Sequence, residues 1–268
     1  MPPPPSPTLR LLSWNILHGG GPRRTPGIVL TLLDHRPDVV VLTEFRRTFG
    51  GQIAGVLADH GLRHQLSTNP APACNGILIA SRHPLLPGER APRVRAFDPR
   101  DPDRCLGFEH RWLDARIPSL DLHLTAVHIP DARRHDAPAL ARKSAYWHQL
   151  LRLARARTDR RHVICGDFNT GRHGLDEPGR TFSCTPLLGS LATLGFVDAW
   201  RALHADAPAF SWFSPAGTGF RLDHAFLSPA CAHLLTRAGY DDHARAQGLS
   251  DHAAMLLELA AEHAPRRA

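Results

Sequence analysis

Asp38-Val39-Val40-Val41-Leu42-Thr43-Glu44 constrains the fold more than any other segment of this chain. Successive strand residues face opposite sides, so four consecutive apolar side chains need partners on both faces. Such a strand lies inside a layered structure, and Glu44 ends it. The same plan recurs. Asn15 follows Leu11-Leu12-Ser13-Trp14, His128 follows Thr125-Ala126-Val127, and Gly166-Asp167-Phe168-Asn169 follows Val163-Ile164-Cys165. Ser250-Asp251-His252 precedes the apolar run that starts at Ala253. Polar groups at the ends of buried strands converge on one rim of a layered α/β domain, where sites are usually built.

Strands are expected at Leu9–Asn15, Asp38–Glu44, Gly76–Ser81, Phe108–Ile117, Leu120–Ile129 and Val163–Gly166, with short ones near Phe210–Phe213, Leu222–Leu227 and Ala253–Leu259. Helices are expected at about 26–35, 51–60, 138–157 and 186–194. Asp136 and Pro138 mark the start of the third, one at the N-cap and one in the first turn. A loop rich in Pro, Arg and Asp covers about 84–104. Strands alternate with helices early and neighbour one another later, which predicts sheets covered by helices in one compact unit. With 268 residues and no internal linker, we expect a single domain over 9–260, a Pro-rich arm at 1–8 and a loose tail at 261–268.

The five cysteines, Cys74, Cys105, Cys165, Cys184 and Cys231, show no CxxC spacing. That argues against a disulfide framework and against zinc, and Cys165 reads as a small core residue. No apolar run is long enough to cross a membrane and no leader is evident, so a soluble cytoplasmic protein is expected. Net charge is +7, and residues 90–172 hold 17 Lys/Arg against 10 Asp/Glu. A local basic excess suits a polyanion such as nucleic acid, although such runs are also common as solvated faces. Lys143 is the only lysine, so heavy Arg use also fits codon composition.

The polar groups suit phosphate chemistry. Carboxylate and amide oxygens such as those of Glu44 and Asn15 are acceptable Mg²⁺ ligands. Asp167 can orient or deprotonate water, and the Asn169 amide can donate to charge developing on a phosphate oxygen. The competing reading of that segment is an Asx-type turn in which both side chains cap backbone groups. Arg221-Leu222-Asp223 offers a carboxylate, and an imidazole beside a carboxylate, as at Asp251-His252, is held in one tautomer and kept charged. Trp212, Phe213 and Phe220 suit either stacking on a base or packing in a core. Arg46, Arg47 and Arg172 are candidate phosphate contacts.

Taken as an ordered set over Leu9 to Leu259, these residues resemble the endonuclease/exonuclease/phosphatase superfamily of Mg²⁺-dependent phosphodiesterases. Leu194 to Arg201, Phe210 to Phe213 and Gly219 to Asp223 are most similar to exodeoxyribonuclease III and related abasic-site endonucleases. The resemblance implies a four-layer α/β/β/α sandwich with two packed mixed sheets. It implies Mg²⁺, with Mn²⁺ as a substitute, held chiefly by Glu44 with Asn15 and Asp251. Asp167 would activate water, Asn169 would stabilise the pentacoordinate phosphate, and His252 paired with Asp223 would hold a phosphate oxygen. His128 stands where abasic-site enzymes resemble one another in having Tyr, and is more similar to the general acid/base His of pancreatic-type DNases. Thr43 replaces the usual Gln before Glu44, and the segment from Asn169 to Leu194 is shorter than in exodeoxyribonuclease III. The implied activity is phosphodiester hydrolysis in DNA by a monomer, with Arg172, Trp212 and Arg46 on the substrate. A small or lipid phosphoester is the alternative substrate, and a catalytically dead nucleic-acid-binding scaffold is the alternative of another class.

Overall fold

The computed structural model describes residues 8–90 and 108–260. The Pro-rich arm up to residue 7, the Arg-rich loop from 91 onward, Cys105 and the 261–268 tail lie outside them. The first half of the chain runs β1 (Thr8–Asn15), α1 (Gly21–Asp34), β2 (Val39–Phe45), α2 (Arg47–Asp59), β3 (His64–Ser67), β4 (Gly76–Ser81) and β5 (Leu86–Pro87). The middle runs α3 (Phe108–Arg111), β6 (Trp112–Ile117), β7 (Leu122–His128), α4 (Ala137–Arg155) and β8 (His162–Asp167). Then come α5 (Thr185–Thr193), β9 (Val197–Asp198), α6 (Ala199–His204), β10 (Trp212–Phe213), β11 (Gly219–Phe220), β12 (Asp223–Leu227), β13 (Leu235–Asp241), α7 (His243–Ala246) and β14 (Ala254–Ala260).

Two six-stranded mixed sheets, ordered β13-β14-β1-β2-β4-β3 and β5-β6-β7-β8-β12-β9, pack face to face. The period of two in β2 shows how. Val39 and Val41 enter the core between the sheets with Ala126, Val163 and Leu257. Val40 and Leu42 point the other way, onto Ile28, Leu32, Ile53 and Leu57 of α1 and α2. The outer face of the second sheet buries Val127, Ile164 and Phe226 against Trp147 and Leu150 of α4 and Leu188 and Leu191 of α5. The result is a helix, sheet, sheet, helix sandwich, as the resemblance implied. Cys165 lies in the inter-sheet core, where burial pushes its thiol up to about 12.

Several local expectations are corrected. Phe108–Arg111 forms a helical turn before β6 rather than the start of a strand. Helix α1 begins at Gly21 with Pro26 inside it. Strand β13 was missed because Leu235-Thr-Arg-Ala-Gly-Tyr-Asp is a sheet edge with few apolar residues, so its pairing with β14 alone defines it. Cys74 is disulfide-bonded, contrary to the reading of the cysteine spacing, which carries no information about spatial proximity. Asp136 does cap α4, accepting from the Ala139 amide at 3.0 Å.

Candidate active site

Strand direction brings the site together. Parallel β1 and β2 place Asn15 opposite Thr43, one residue short of Glu44. Parallel β7 and β8 place His128 opposite Asp167. Strand β12 runs antiparallel to β8 and starts at that rim, so Asp223 also lies opposite Asp167. Strand β14 runs antiparallel to β1, so His252 just before it falls on the same edge and bridges to Trp212. A cleft of about 600 Å³ opens there, lined by Glu44, Arg46, His128, Asp167, Asn169, Trp212 and His252 among others.

Two turns aim the carboxylates. The β2–β4 register shifts between Thr43 and Phe45, and Glu44 sits in that bulge at φ 55°. A bulge turns one side chain out of the alternation, here into the cleft. Asn169 is also left-handed, at φ 46°. A non-glycine residue there costs roughly 1–2 kcal/mol and persists only where surrounding bonds demand it. Asn169 has them: its amide N–H donates to Asp167 Oδ1 at 3.0 Å, its side-chain Nδ2 to the Ile129 carbonyl at 3.0 Å, and its carbonyl accepts from Lys143 Nζ at 2.5 Å. Gly166, at φ 136°, passes so close to β7 that a Cβ would collide with the Val127 carbonyl oxygen.

Asn15 Nδ2 bridges the two carboxylates, 3.3 Å from Glu44 Oε1 and 3.2 Å from Asp167 Oδ2. Its Oδ1 accepts from the Leu17 amide. Glu44 Oε2 accepts from the His18 amide at 2.8 Å and lies 2.8 Å from His18 Nδ1. Burial works against its charge, but the His18 hydrogen bond and the His128 and His18 rings hold Glu44 well below the usual carboxylate range. Asp167 is raised to about 7, by burial above all and by Asp223 and Glu44, against the pull of His252. His252 Nδ1 donates to Asp223 Oδ2 at 2.8 Å; despite burial, that carboxylate lifts the imidazole to about 10. His128 Nε2 lies 3.6 Å from Asp167 Oδ2 and 4.0 Å from Glu44 Oε1. Burial, with Arg111 adding to it, pushes His128 down to about 3. That shift favours the neutral ring, whereas the acid role implied by the resemblance needs an imidazolium.

Asp251 is exposed, accepts from Trp212 Nε1 at 3.0 Å and does not itself line the cleft. Trp212 and Phe220 are half-buried with ring centroids 5.7 Å apart, and both line the cleft. Phe213 instead faces Phe210 and the Arg245 guanidinium. Arg46 lines the cleft with Nε 2.6 Å from Asn75 Oδ1. Arg172 does not line it; its amide donates to Asp176 Oδ2, closing the loop after Asn169. Sequence reasoning missed His18, Asn75, Arg111 and Lys143. His18 had a weak signal, three residues past Asn15 in a Gly-rich turn, and Lys143 had a compositional one as the sole lysine.

The donor set fits Mg²⁺. Two carboxylates share one amide, and one of them is buried and pushed toward its neutral form, a cost that a cation held by Glu44 would lessen. Among the described residues no three His, Cys, Asp or Glu side chains form a metal cage. Mg²⁺ needs none, since it usually takes one or two carboxylates and keeps several waters.

Residues 12–252 match the model of the Endonuclease/Exonuclease/phosphatase family. The chain belongs to this family. It is a hydrolase of that class, in a family of nucleases and phosphatases. Its fold is that of solved members. The 3′ phosphatase NExo from Neisseria, bound to product DNA hairpin, superposes with a TM-score of 0.76 at 24% identity, over 94% of this chain and 99% of that one. An AP endonuclease from Archaeoglobus fulgidus gives 0.75 at 18% identity, over 93% and 98%. The 3′-5′ exonuclease NExo from Neisseria meningitidis gives 0.74 at 24% identity, over 94% and 99%. No curated protein sequence matches the chain.

Proposed function

We propose that this family member is a Mg²⁺-dependent phosphodiesterase acting on DNA. One observation carries the reading: the Glu44 and Asp167 carboxylates, joined by Asn15, face the same cleft as the His252–Asp223 pair. Glu44 would be the principal metal ligand; Asn15 would join it once its amide turned its oxygen toward Glu44, and Asp251 once it left Trp212, with Mn²⁺ as a substitute for Mg²⁺. Bound there, the cation would neutralise charge on the phosphate oxygens.

The chain's own groups do the rest. Asp167 Oδ1 is committed to the Asn169 amide, and Oδ2, which accepts from Asn15 Nδ2, keeps a second lone pair to take a proton from water. His252 gives Nδ1–H to Asp223, so its Nε2–H is the one available to a phosphate oxygen. Asn169 spends one side-chain N–H on Ile129 and keeps the other for the same charge. Water attacking in line with the leaving oxygen fits this division of roles. Trp212 and Phe220 offer an apolar wall to a sugar or base, and Arg46, Arg111 and Arg133 lie where backbone phosphates would run. The DNA-bound 3′ phosphatase and the AP endonuclease among the structural relatives favour DNA over a small phosphoester.

End-labelled duplexes test the reading: one intact, one with a single abasic site and one with a 3′-phosphoryl end, each with Mg²⁺ or EDTA. Asp167→Asn protein controls for contaminating nuclease. We expect Mg²⁺-dependent hydrolysis of at least one duplex. Incision confined to the abasic site makes this a repair endonuclease, and release of phosphate from the end makes it a 3′ phosphatase. Inactivity on all three, with hydrolysis of a small phosphoester, would transfer the chemistry to another substrate.

A further inference from the structure

All but one of the 32 Lys and Arg residues in this chain are arginine, and the exception is Lys143. It stands on α4 with only 1% of its surface exposed, yet it lines the active-site cleft. A long cationic side chain is rarely buried without a partner of stated chemistry. Here the bond in hand is to a neutral group, the carbonyl oxygen of Asn169 at 2.5 Å. An ammonium carries three donors and no acceptor, so this bond leaves two unspent. The neighbouring acids do not consume them in any ion pair: Asp131 caps the Ala132 amide, and Asp167 is engaged by Asn169 and Asn15.

Arginine does not substitute easily at this position. Its planar five-donor fork is larger and needs acceptors in one plane, whereas an ammonium is a compact point charge that suits a single carbonyl and a single oxyanion. The chain uses arginine at every other basic position, including on the same helix at Arg142, Arg152 and Arg155. Codon composition alone would make the remaining lysine fall anywhere; it falls in the cleft.

We propose that Lys143 is a catalytic residue that binds a non-bridging oxygen of the scissile phosphate, while its bond to Asn169 fixes the ammonium in place. This rests on the phosphoester-hydrolase reading above. Its ammonium lines the same cleft as His252, so the phosphate would be held from helix α4 and from the segment before β14. A purely structural Lys143, present only to satisfy the left-handed turn at Asn169, is the competing role.

The single lysine makes the test selective. Labelling with ¹⁵N-lysine gives one side-chain ammonium resonance, that of Lys143. We expect that resonance to shift when inorganic phosphate is added to the wild-type protein, and phosphate to inhibit hydrolysis over the same concentration range. Lys143→Met should lower kcat on the best DNA substrate by roughly 100-fold or more, the usual loss for one donor to a developing oxyanion. Lys143→Arg should recover little. Thermal unfolding is followed alongside, since a structural lysine would lower Tm in Lys143→Met while leaving kcat of the folded fraction within threefold. That result, or an ammonium resonance unaffected by phosphate, overturns the proposal. Wild-type protein whose resonance responds to phosphate but which hydrolyses no DNA would sink the choice of DNA and leave the phosphate contact standing.

Discussion

Arg221 is fully buried, and replacing it tests how the loop after Asn169 is tied to the catalytic strand. Its Nε donates to Asp176 Oδ1 at 2.7 Å, and its two terminal nitrogens donate to Asp198 at 3.0 and 2.6 Å. In Arg221→Met the two carboxylates do not suffer equally. Asp176 keeps the Arg201 guanidinium at 2.6 Å and the Arg172 amide at 2.8 Å. Asp198 keeps only the capping amides of Trp200 and Arg201 on Oδ1, at 3.1 and 3.3 Å, with the His224 ring 3.8 Å from Oδ2. Breaking a buried pair from one side costs about 3–5 kcal/mol, because the remaining charge stays desolvated. For a domain of this size that is a fall in Tm of roughly 6–20 °C. Asp198 is held well below the usual carboxylate range, its burial outweighed by the Arg221 charge. Without Arg221, burial would raise it instead. The variant therefore takes up a proton that the wild type refuses, and its deficit shrinks as pH falls from 8 to 5. Urea denaturation at both pH values measures this. Adding Asp198→Asn, which keeps the cap, should recover at least half of the loss. A deficit below about 1 kcal/mol, or a double variant no more stable than the single one, would refute the reasoning, since it would mean that the network contributes nothing.

Three further outcomes are expected. His162 is buried and held at about 3 by desolvation, against 6.5 in the unfolded chain, so the stability it contributes above pH 6.5 is lost as pH falls toward 3; about 2 kcal/mol should go between pH 7 and 5, and His162→Gln should flatten that limb in urea titrations. Gly166→Ala should lower stability by about 2 kcal/mol or more in the same assay, because φ 136° and the Val127 carbonyl both exclude a Cβ. Trp212→Ala should raise KM for DNA by roughly 5- to 150-fold with little change in Tm, the value of one stacked base; a large fall in Tm with unchanged KM would return this ring to the core.

Legibility in the sequence followed period. Strand β2 has four apolar residues in a row, and its two faces do bury against different layers. Helix α4 carried both a cap and a proline and was found within two residues at each end. Strand β13 and the short strands β5, β9 and β11 carried too few apolar positions to have a period at all. Glu44, Asp167, Asn169 and His252 were legible because each ends or begins an apolar run, and ends of strands share rims.

The roles of His18, Asn75 and Lys143 were not legible, because each reaches the cleft through a tertiary contact. His18 arrives by two left-handed residues after β1, Asn75 by the start of β4, and Lys143 by the docking of α4 on the second sheet. Arg172 shows the converse: three residues after Asn169, it does not line the cleft, and its amide closes its own loop. Local pattern determined which segments form strands, which faces are buried and which polar groups stand at strand ends, because those depend on neighbours one to four residues away. Only the packed structure decided which end groups meet, that Asn15 joins Glu44 to Asp167, and that burial disfavours charge on His128 while Asp223 favours it on His252. Those depend on strand direction and on desolvation, which arise when residues more than a hundred positions apart are buried together.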